Sequence, residues 1–169
     1  MADTQISPEV LVRARKIKLL LMDCDGVLTD GRLYFTDGGE AVKVFHARDG
    51  QGIVDWHRAG FVSGIISGRN SKIVDLRAEQ LGIKYVMQGR PDKTAAFKEL
   101  IKSAGFERDE IAYIGDDTPD AAIMPFVGLS AAVADAHSAV RSAALYTTRL
   151  KGGRGAVREL IDLILAAKK

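Results

Sequence analysis

The feature that most constrains the fold of this chain is a short apolar run that ends abruptly in carboxylates. The residues from Leu20 to Asp30 read Leu-Leu-Met-Asp-Cys-Asp-Gly-Val-Leu-Thr-Asp. A buried strand with this ending places Asp23 and Asp25 at the edge of a sheet, where open α/β sheets bind their ligands. Because residues two apart in a strand share a face, both carboxylates can reach one ligand. One can attack as a nucleophile while the other moves protons, although an Asp-Gly turn alone would also produce this pattern.

The composition indicates one soluble globular domain over residues 1–169. A net charge of +2 does not suggest a nucleic-acid or membrane surface, and no apolar run is long enough for a membrane span. The single cysteine, Cys24, excludes an intrachain disulfide, and strand alternation predicts that it points into the core. Residues 1–9 lack the apolar region of a secretory signal, so the predicted location is the cytoplasm.

Strand-like and helical segments alternate along the chain, which predicts an α/β fold with a Rossmann-like parallel sheet covered on both faces. Strands are predicted at 17–22, 61–66, 84–87, 111–114, 128–133 and 145–147. Helices are predicted at 10–16, 52–59, 71–81, 92–104, 120–124, 138–143 and 155–167. Two further short strands, 32–35 and 41–45, surround Asp37-Gly38-Gly39 and predict a β-hairpin after the first strand. The glycine-rich, basic residues 151–155 predict a mobile C-terminal tail over about 150–169.

Polar residues follow four of the predicted parallel strands, and these strand ends meet at one edge of the sheet. The groups are Asp23 and Asp25, then Ser67, then Lys93, then Asp116 with Asp117 and Asp120. Carboxylates suit Mg²⁺, a hydroxyl can bind a phosphoryl oxygen, and a lysine can balance the charge of a transferring phosphate. Each residue alone could be a turn, cap or solvated surface residue. Their order along the chain favours a site for a phosphate ester and a divalent cation.

These motifs resemble the haloacid dehalogenase superfamily of phosphatases over nearly the whole chain. Asp23-Cys24-Asp25-Gly26-Val27 is similar to its first motif, Ser67 to its second, Lys93 to its third and Gly115-Asp116-Asp117 to its fourth. Further segments resemble a small branch without a cap domain, which hydrolyses 3-deoxy-D-manno-octulosonate 8-phosphate. Those segments are residues 25–31, 39–40, 43–45, 49–52 and 153–159.

The resemblance implies roles for individual residues. Asp23 would be the nucleophile that forms an aspartyl-phosphate, and Asp25 the general acid and then the base. Mg²⁺ would be held by Asp23, Asp116 and the backbone carbonyl of Asp25. Ser67 and Lys93 would hold the phosphoryl group, with Asp117 and Asp120 behind them orienting the lysine and the metal-bound waters. The resemblance also implies a homotetramer, in which hairpins 32–45 form a central barrel and the tail helps to close a neighbouring subunit's site.

A sugar-acid phosphate carries a carboxylate, so cations should face its far end. The candidates are Arg69, Arg154, Arg48 and His46. The motifs do not separate an eight-carbon substrate from a nine-carbon sialic-type acid phosphate or a broader set of sugar phosphates. A two-component receiver domain is disfavoured because its acidic pair and phospho-accepting aspartate occur in another order. A non-catalytic scaffold or binding subunit is the alternative of a different class.

Overall fold

A six-stranded parallel sheet organises the protein, described here for residues 6–169 of a computed structural model. Its strands are β1 (Leu19–Met22), β4 (Val62–Ile66), β5 (Tyr85–Met87), β6 (Ile111–Gly115), β7 (Leu129–Ala132) and β8 (Tyr146–Thr147). A hairpin adds β2 (Tyr34–Thr36) and β3 (Gly39–Val42). The helices are α1 (Pro8–Ala14), α2 (Ala47–Arg58), α3 (Lys72–Leu81), α4 (Lys93–Ala104), α5 (Thr118–Ala121), α6 (Ser138–Ala143) and α7 (Ala156–Ala167). The predicted parallel α/β fold is confirmed.

The order of the strands is β5-β4-β1-β6-β7-β8, so β1 lies inside the sheet. Alternate residues of β1 face two different hydrophobic clusters: Leu20 and Met22 face one, and Leu19 and Leu21 face the other. Cys24 continues the first set and is fully buried, as predicted. A strand covered on both faces needs an uninterrupted apolar run, which is why this sequence forms β1.

The register of β1 fixes which residues meet at the edge of the sheet. Met22 pairs with Ile65 of β4 on one side and with Ile114 of β6 on the other. The residues just beyond these pairs, Asp23, Ser67 and Asp116, therefore emerge next to one another. The predicted convergence of polar strand ends follows from this register.

The hairpin is shorter and differently placed than predicted. Its strands were expected at 32–35 and 41–45, but β2 covers Tyr34–Thr36 and β3 covers Gly39–Val42. Gly39 has a φ of +105°, a backbone conformation that favours glycine, and it follows the turn directly. Apolar side chains of the hairpin and its flanks are exposed: Leu33, Tyr34, Phe35, Val42 and Val44.

Helix α2 begins five residues earlier than the predicted start at 52, and the prediction was wrong because Asp49-Gly50, a pair typical of turns, lies inside the helix. Gly50 and Gly52 are both buried inside the helix. A Cβ on Gly52 would lie 2.9 Å from Cδ of Arg158 and 3.2 Å from its Cα. The close packing of α2 on α7 therefore requires glycine at this position and outweighs its poor helix propensity.

Helix α5 also begins earlier than the predicted segment 120–124. Asp117 caps it, Pro119 lies in its first turn, and the side chain of Asp120 accepts a hydrogen bond from the Asp117 backbone. A separate 3₁₀ turn follows at Met124–Phe126. The helix therefore begins directly after Asp117, two residues before the predicted start.

The segment predicted to be a mobile tail packs against the body of the protein. Gly152 is buried, and an added Cβ there would collide with the backbone of Gly26. Helix α7 buries its apolar face in the first hydrophobic cluster. At its start, the buried Asp49 of α2 accepts hydrogen bonds from the backbone N–H groups of Gly155 (3.1 Å) and Arg158 (2.8 Å).

Two sequence expectations concern the N-terminal residues and the absence of membrane spans. Residues 1–5, part of the stretch predicted not to be a secretory signal, lie outside the described residues. Among the helices in residues 6–169, none is both long enough and apolar enough to cross a membrane.

Replacing Asp49 by alanine is expected to destabilise the protein by about 1–3 kcal/mol, because two N–H groups at the start of α7 lose their acceptor. Urea denaturation measures this change. Asp109→Ala is the matched control, since Asp109 forms only an exposed ion pair with Lys16 at 3.1 Å and should matter little. Equal stability of Asp49→Ala and wild type would contradict the role assigned to Asp49.

Candidate active site

The first strand delivers a buried carboxylate to the edge of the sheet. The backbone N–H of Asp23 donates to the carbonyl of Ile114 (3.0 Å), which extends the β1–β6 pairing by one residue. The chain then turns, with three successive N–H groups, those of residues 27 to 29, donating to the carbonyl of Cys24. Gly26 lies in this turn with a φ of +89°, and a Cβ there would collide with the carboxylate of Asp116. Glycine at this position lets Asp116 approach the turn.

Lys93 connects two buried carboxylates. Its Nζ lies 2.8 Å from Oδ1 of Asp23 and 2.6 Å from Oδ1 of Asp120. Lys93 is the first residue of α4, and its side chain is only 6% exposed. Burial alone would lower the pKa of Lys93, but Asp23 and Asp120 outweigh it and raise that pKa above its usual value. The lysine is therefore a fixed positive charge beside Asp23.

Both carboxylate oxygens of Asp120 accept hydrogen bonds from other groups of the protein. Its Oδ1 accepts from Lys93 and from the hydroxyl of Tyr113 (2.5 Å), and its Oδ2 accepts from the backbone N–H groups of Asp116 (3.0 Å) and Asp117 (3.1 Å). Carboxylate oxygens of Asp23, Asp116 and Asp120 lie within 4.8 Å of one another. Of these three, Asp23 and Asp116 keep oxygen atoms available for a cation, while Asp120 is committed to orienting its donors.

The chemistry of these groups fits a divalent cation. Oδ1 of Asp116 is buried and has no hydrogen-bond partner among the described residues. Burial and the charge of Asp23 raise the pKa of Asp116 to about 8. Burial and the charge of Asp120 raise the pKa of Asp23 to about 6, against the opposing effect of Lys93. Burial is the larger cause of both shifts and the neighbouring carboxylates add to it, so a divalent cation would favour the ionised form of both groups.

The hairpin supplies a second set of charges that the sequence analysis missed. Nζ of Lys43, whose side chain is 2% exposed, contacts Oδ1 of Asp25 and lies 2.9 Å from Oε1 of Glu40. Nε of Arg69 lies 3.6 Å from Oδ2 of Asp25, and the hydroxyl of Ser71 donates to Glu40. Asp25 is thus held between two cations. Lys43 belongs to a segment that carries the family resemblance, but its contact with Asp25 depends on how the hairpin folds back over the sheet edge.

The charged side chains around the pocket do not balance. Five carboxylates surround it: Asp23, Asp25, Glu40, Asp116 and Asp120. Three cations face them: Lys43, Arg69 and Lys93. With all groups ionised the site carries two excess negative charges, which one divalent cation would neutralise before a phosphate ester enters.

Ser67 and Arg69 lie at the end of β4, beside the end of β1. Ser67 is buried, and its Oγ accepts from the backbone N–H of Arg69 (3.3 Å), so the hydroxyl proton is free for another acceptor. The Arg69 side chain is 43% exposed and stacks over the ring of Phe35 at 5.5 Å. The structure therefore brings Arg69 next to Asp25, at the open side of the pocket.

The side chains of the remaining predicted residues contact none of the five pocket carboxylates in the described hydrogen bonds and ion pairs. Arg154 is exposed, and its nearest acid is Asp30 at 3.6 Å. Arg48 is exposed and lines a cavity of about 690 Å³ beside Tyr146 and Arg149, which contains none of the pocket carboxylates. His46 is half-buried and precedes α2. Asp117 is exposed and accepts from Thr118 N–H (2.7 Å), so it caps α5 instead of contacting Lys93.

A buried carboxylate beside a fixed lysine, with acidic ligands for a cation, is suited to attack on phosphorus, and these features define a phosphoryl-transfer enzyme of the α/β class. The sequence pattern of the haloacid dehalogenase-like hydrolases matches residues 61–160, and the chain belongs to that family.

Relatives at high identity point to one branch of the family. The Yersinia pestis protein named 3-deoxy-D-manno-octulosonate 8-phosphate phosphatase is 46% identical over 163 residues, 96% of this chain and 87% of that protein. The crystal structure of a phosphatase of that name from Yersinia pestis has a TM-score of 0.93 at 45% identity, covering 99% of this chain and 92% of that one. A Moraxella catarrhalis phosphatase in complex with magnesium, phosphate and KDO has a TM-score of 0.92 at 40% identity, covering 95% and 92%.

Binding of Mg²⁺ is expected to release protons and to strengthen as the pH rises. Asp23 and Asp116, with pKa values of about 6 and about 8, must lose protons before they bind a cation. Affinity should therefore fall by about tenfold or more between pH 8 and pH 6, as measured by calorimetry in buffers of different ionisation enthalpy.

The matched controls for this measurement are two neighbouring aspartates. Asp116→Asn should abolish tight Mg²⁺ binding, while Asp117→Asn, which changes an exposed carboxylate, should leave the pH dependence intact. A Mg²⁺ affinity that does not change between pH 6 and pH 8 would contradict this account of the pocket.

Proposed function

We propose that this protein is a Mg²⁺-dependent phosphatase that hydrolyses 3-deoxy-D-manno-octulosonate 8-phosphate to the free sugar acid and inorganic phosphate. The observation that carries the proposal is the pairing of Asp23 with Lys93 next to the unpartnered oxygen of Asp116. The relatives named for this reaction support the choice of substrate. The released sugar acid suits a place in lipopolysaccharide synthesis.

Asp23 is the proposed nucleophile. Its carboxylate attacks the phosphorus, the bond to the sugar oxygen breaks, and an aspartyl-phosphate forms. Lys93 fixes Oδ1 of Asp23 and offers positive charge to the phosphoryl oxygens, while the free hydroxyl proton of Ser67 can bind one of them. Because Asp120 holds the lysine from behind, little rearrangement is needed when charge develops on the transferring group.

Asp25 is the proposed acid and base. Asp25 passes a proton to the departing sugar oxygen, and its carboxylate then takes a proton from the water that hydrolyses the aspartyl-phosphate. Lys43 and Arg69 hold its two oxygens, one each, which fixes the side chain over the pocket. An enzyme that formed an aspartyl-phosphate but did not hydrolyse it would not need an acid and base such as Asp25.

Mg²⁺ would be held by the carboxylates of Asp23 and Asp116 with the backbone carbonyl of Asp25, and it would offset the repulsion between a carboxylate and a phosphate dianion. Asp120 keeps Lys93 and the Asp116 backbone in place behind the cation. Asp117 is exposed and caps α5, and we infer that it does not orient Lys93 or the metal-bound waters.

The sugar carboxylate is proposed to bind to cations at the open side of the pocket. Arg69 supports this role because it is partly exposed and lies next to Asp25. Arg154 is the second candidate. It lies on the segment that packs against the Gly26 turn, and it contacts Asp30. Arg48 and His46 stay weaker candidates, since both belong to the start of α2 and neither contacts Asp25 among the described ion pairs.

The first test is phosphate release from the eight-carbon substrate, a nine-carbon sugar-acid phosphate and simple hexose phosphates, each with Mg²⁺ and with chelator. The proposal predicts Mg²⁺-dependent release from the eight-carbon acid at least about a hundredfold faster than from hexose phosphates. Asp23→Asn should reduce the rate by about 10³-fold or more, because it removes the nucleophile. Asp117→Asn serves as the matched control and should retain most activity.

Each other outcome of this experiment would support one of the alternative functions. Preference for the nine-carbon acid would identify a sialic-type acid phosphatase, and equal rates on all substrates a broad sugar phosphatase. Absence of release from every substrate, with Mg²⁺ bound and the protein folded, would favour a non-catalytic scaffold and contradict the proposal.

We also propose that the protein is a cytoplasmic homotetramer whose hairpins pack together. Support comes from the apolar side chains that β2, β3 and their flanks leave exposed in a single chain, among them Phe35 at 58% and Val44 at 55%. An exposed apolar hairpin of this size is a common mark of a protein interface. The same hairpin carries Lys43, so assembly would also steady the contact with Asp25.

Replacing Leu33 and Val44 together by glutamate should convert the tetramer into smaller species and reduce turnover, measured by light scattering after gel filtration. Val12→Glu is the matched control, because Val12 is equally exposed at 57% but lies on α1. A wild-type protein that runs as a monomer would contradict the assembly.

A further inference from the structure

We propose that Tyr113 is a positioning residue for the phosphatase reaction, acting on Lys93 through Asp120. The proposal rests on the proposed function and adds a residue to it. Tyr113 lies in the middle of β6 and is fully buried, so from the sequence it is simply a core aromatic residue. Its hydroxyl nevertheless donates a hydrogen bond to Asp120, a carboxylate of the active site.

Two hydrogen bonds and one ion pair link Tyr113 to the nucleophile. The Tyr113 hydroxyl donates to Oδ1 of Asp120 at 2.5 Å, and Nζ of Lys93 donates to the same oxygen at 2.6 Å. Lys93 then reaches Oδ1 of Asp23 at 2.8 Å. The tyrosine and both partners that follow it are buried, so water does not compete for these bonds.

The Tyr113 hydroxyl affects how strongly Lys93 interacts with Asp120 relative to Asp23. Tyr113 takes up part of the negative charge on Oδ1 of Asp120, and with the two N–H groups on Oδ2 it fixes the plane of that carboxylate. Without the hydroxyl, Lys93 becomes the sole donor to Oδ1 among the described residues. Asp120 would then attract Lys93 more strongly and rotate more freely, and both changes move the ammonium away from Asp23.

Packing alone does not require the hydroxyl. The ring of Tyr113 belongs to the second hydrophobic cluster, together with Leu21, Ile66 and Phe97, where phenylalanine would fill nearly the same space. Burial raises the pKa of Tyr113 well above its usual value, so the group stays a neutral donor. A buried hydroxyl needs a partner, and here the partner is the carboxylate that orients Lys93.

Tyr113→Phe tests the proposal in the full-length protein with Mg²⁺. We expect kcat to fall about tenfold, with KM and Mg²⁺ affinity changed by less than about twofold, because the lost bond acts on the charge that develops at Asp23. Tyr146→Phe is the matched control: its hydroxyl also donates to a carboxylate, Oε1 of Glu159 at 2.7 Å, which contacts none of the pocket carboxylates. It should leave kcat unchanged.

A double-mutant cycle separates positioning from general loss of packing. In an Asp120→Ala background the acceptor that connects Tyr113 to Lys93 is gone, so adding Tyr113→Phe should reduce kcat by less than about twofold. A purely structural effect would reduce kcat by the same factor in both backgrounds. Equal factors, or a wild-type kcat for Tyr113→Phe, would overturn the proposal.

Crystal structures of wild type, Tyr113→Phe and Tyr146→Phe test the same point without turnover. The proposal predicts that the Lys93–Asp23 distance lengthens in Tyr113→Phe alone. An unchanged distance overturns it, even if no substrate has been found. Failure of wild-type protein to hydrolyse any phosphate ester would count against the proposed function only, so the two claims fail separately.

Discussion

The Lys93 ammonium between two buried carboxylates is the interaction on which the rest of the site depends. It lies 2.8 Å from Asp23 and 2.6 Å from Asp120, and each of the three groups would be unfavourable at this depth without the others. The fold brings them together from separate elements: β1 ends at Asp23, α4 begins at Lys93, and α5 contains Asp120. A parallel sheet achieves this because all its strands end at the same edge.

Excess negative charge in the pocket is the second constraint. It explains why the site also needs cations from outside the sheet, such as Lys43. The carboxylates outnumber the cations around the pocket even with Lys43 and Arg69 included, and Oδ1 of Asp116 stays without a protein partner. A divalent cation satisfies both conditions. The hairpin contributes Lys43, which secures Asp25, while the apolar side chains nearby remain exposed.

The sequence predicted the parallel sheet, most element positions and the meeting of Asp23, Ser67, Lys93 and Asp116, because a strand's apolar run and its polar end are local signals. It did not predict the early start of α2, since Gly52 makes sense only where α7 packs on it and Gly50 only where α3 does. Lys43 and Tyr113 were missed for the same reason: one is a charged residue in a hairpin and the other an aromatic residue in a strand. Their roles arise from contacts across the fold.

The most direct test of the account is to trap the intermediate on Asp23. Asp25→Asn protein with Mg²⁺ would be treated with p-nitrophenyl phosphate, whose leaving group needs no proton from Asp25, then quenched in acid and mapped by mass spectrometry. The account predicts a phosphate adduct on Asp23 that persists because no base activates water. Release of p-nitrophenol with no adduct, or an adduct on another residue, would contradict Asp23 as the nucleophile.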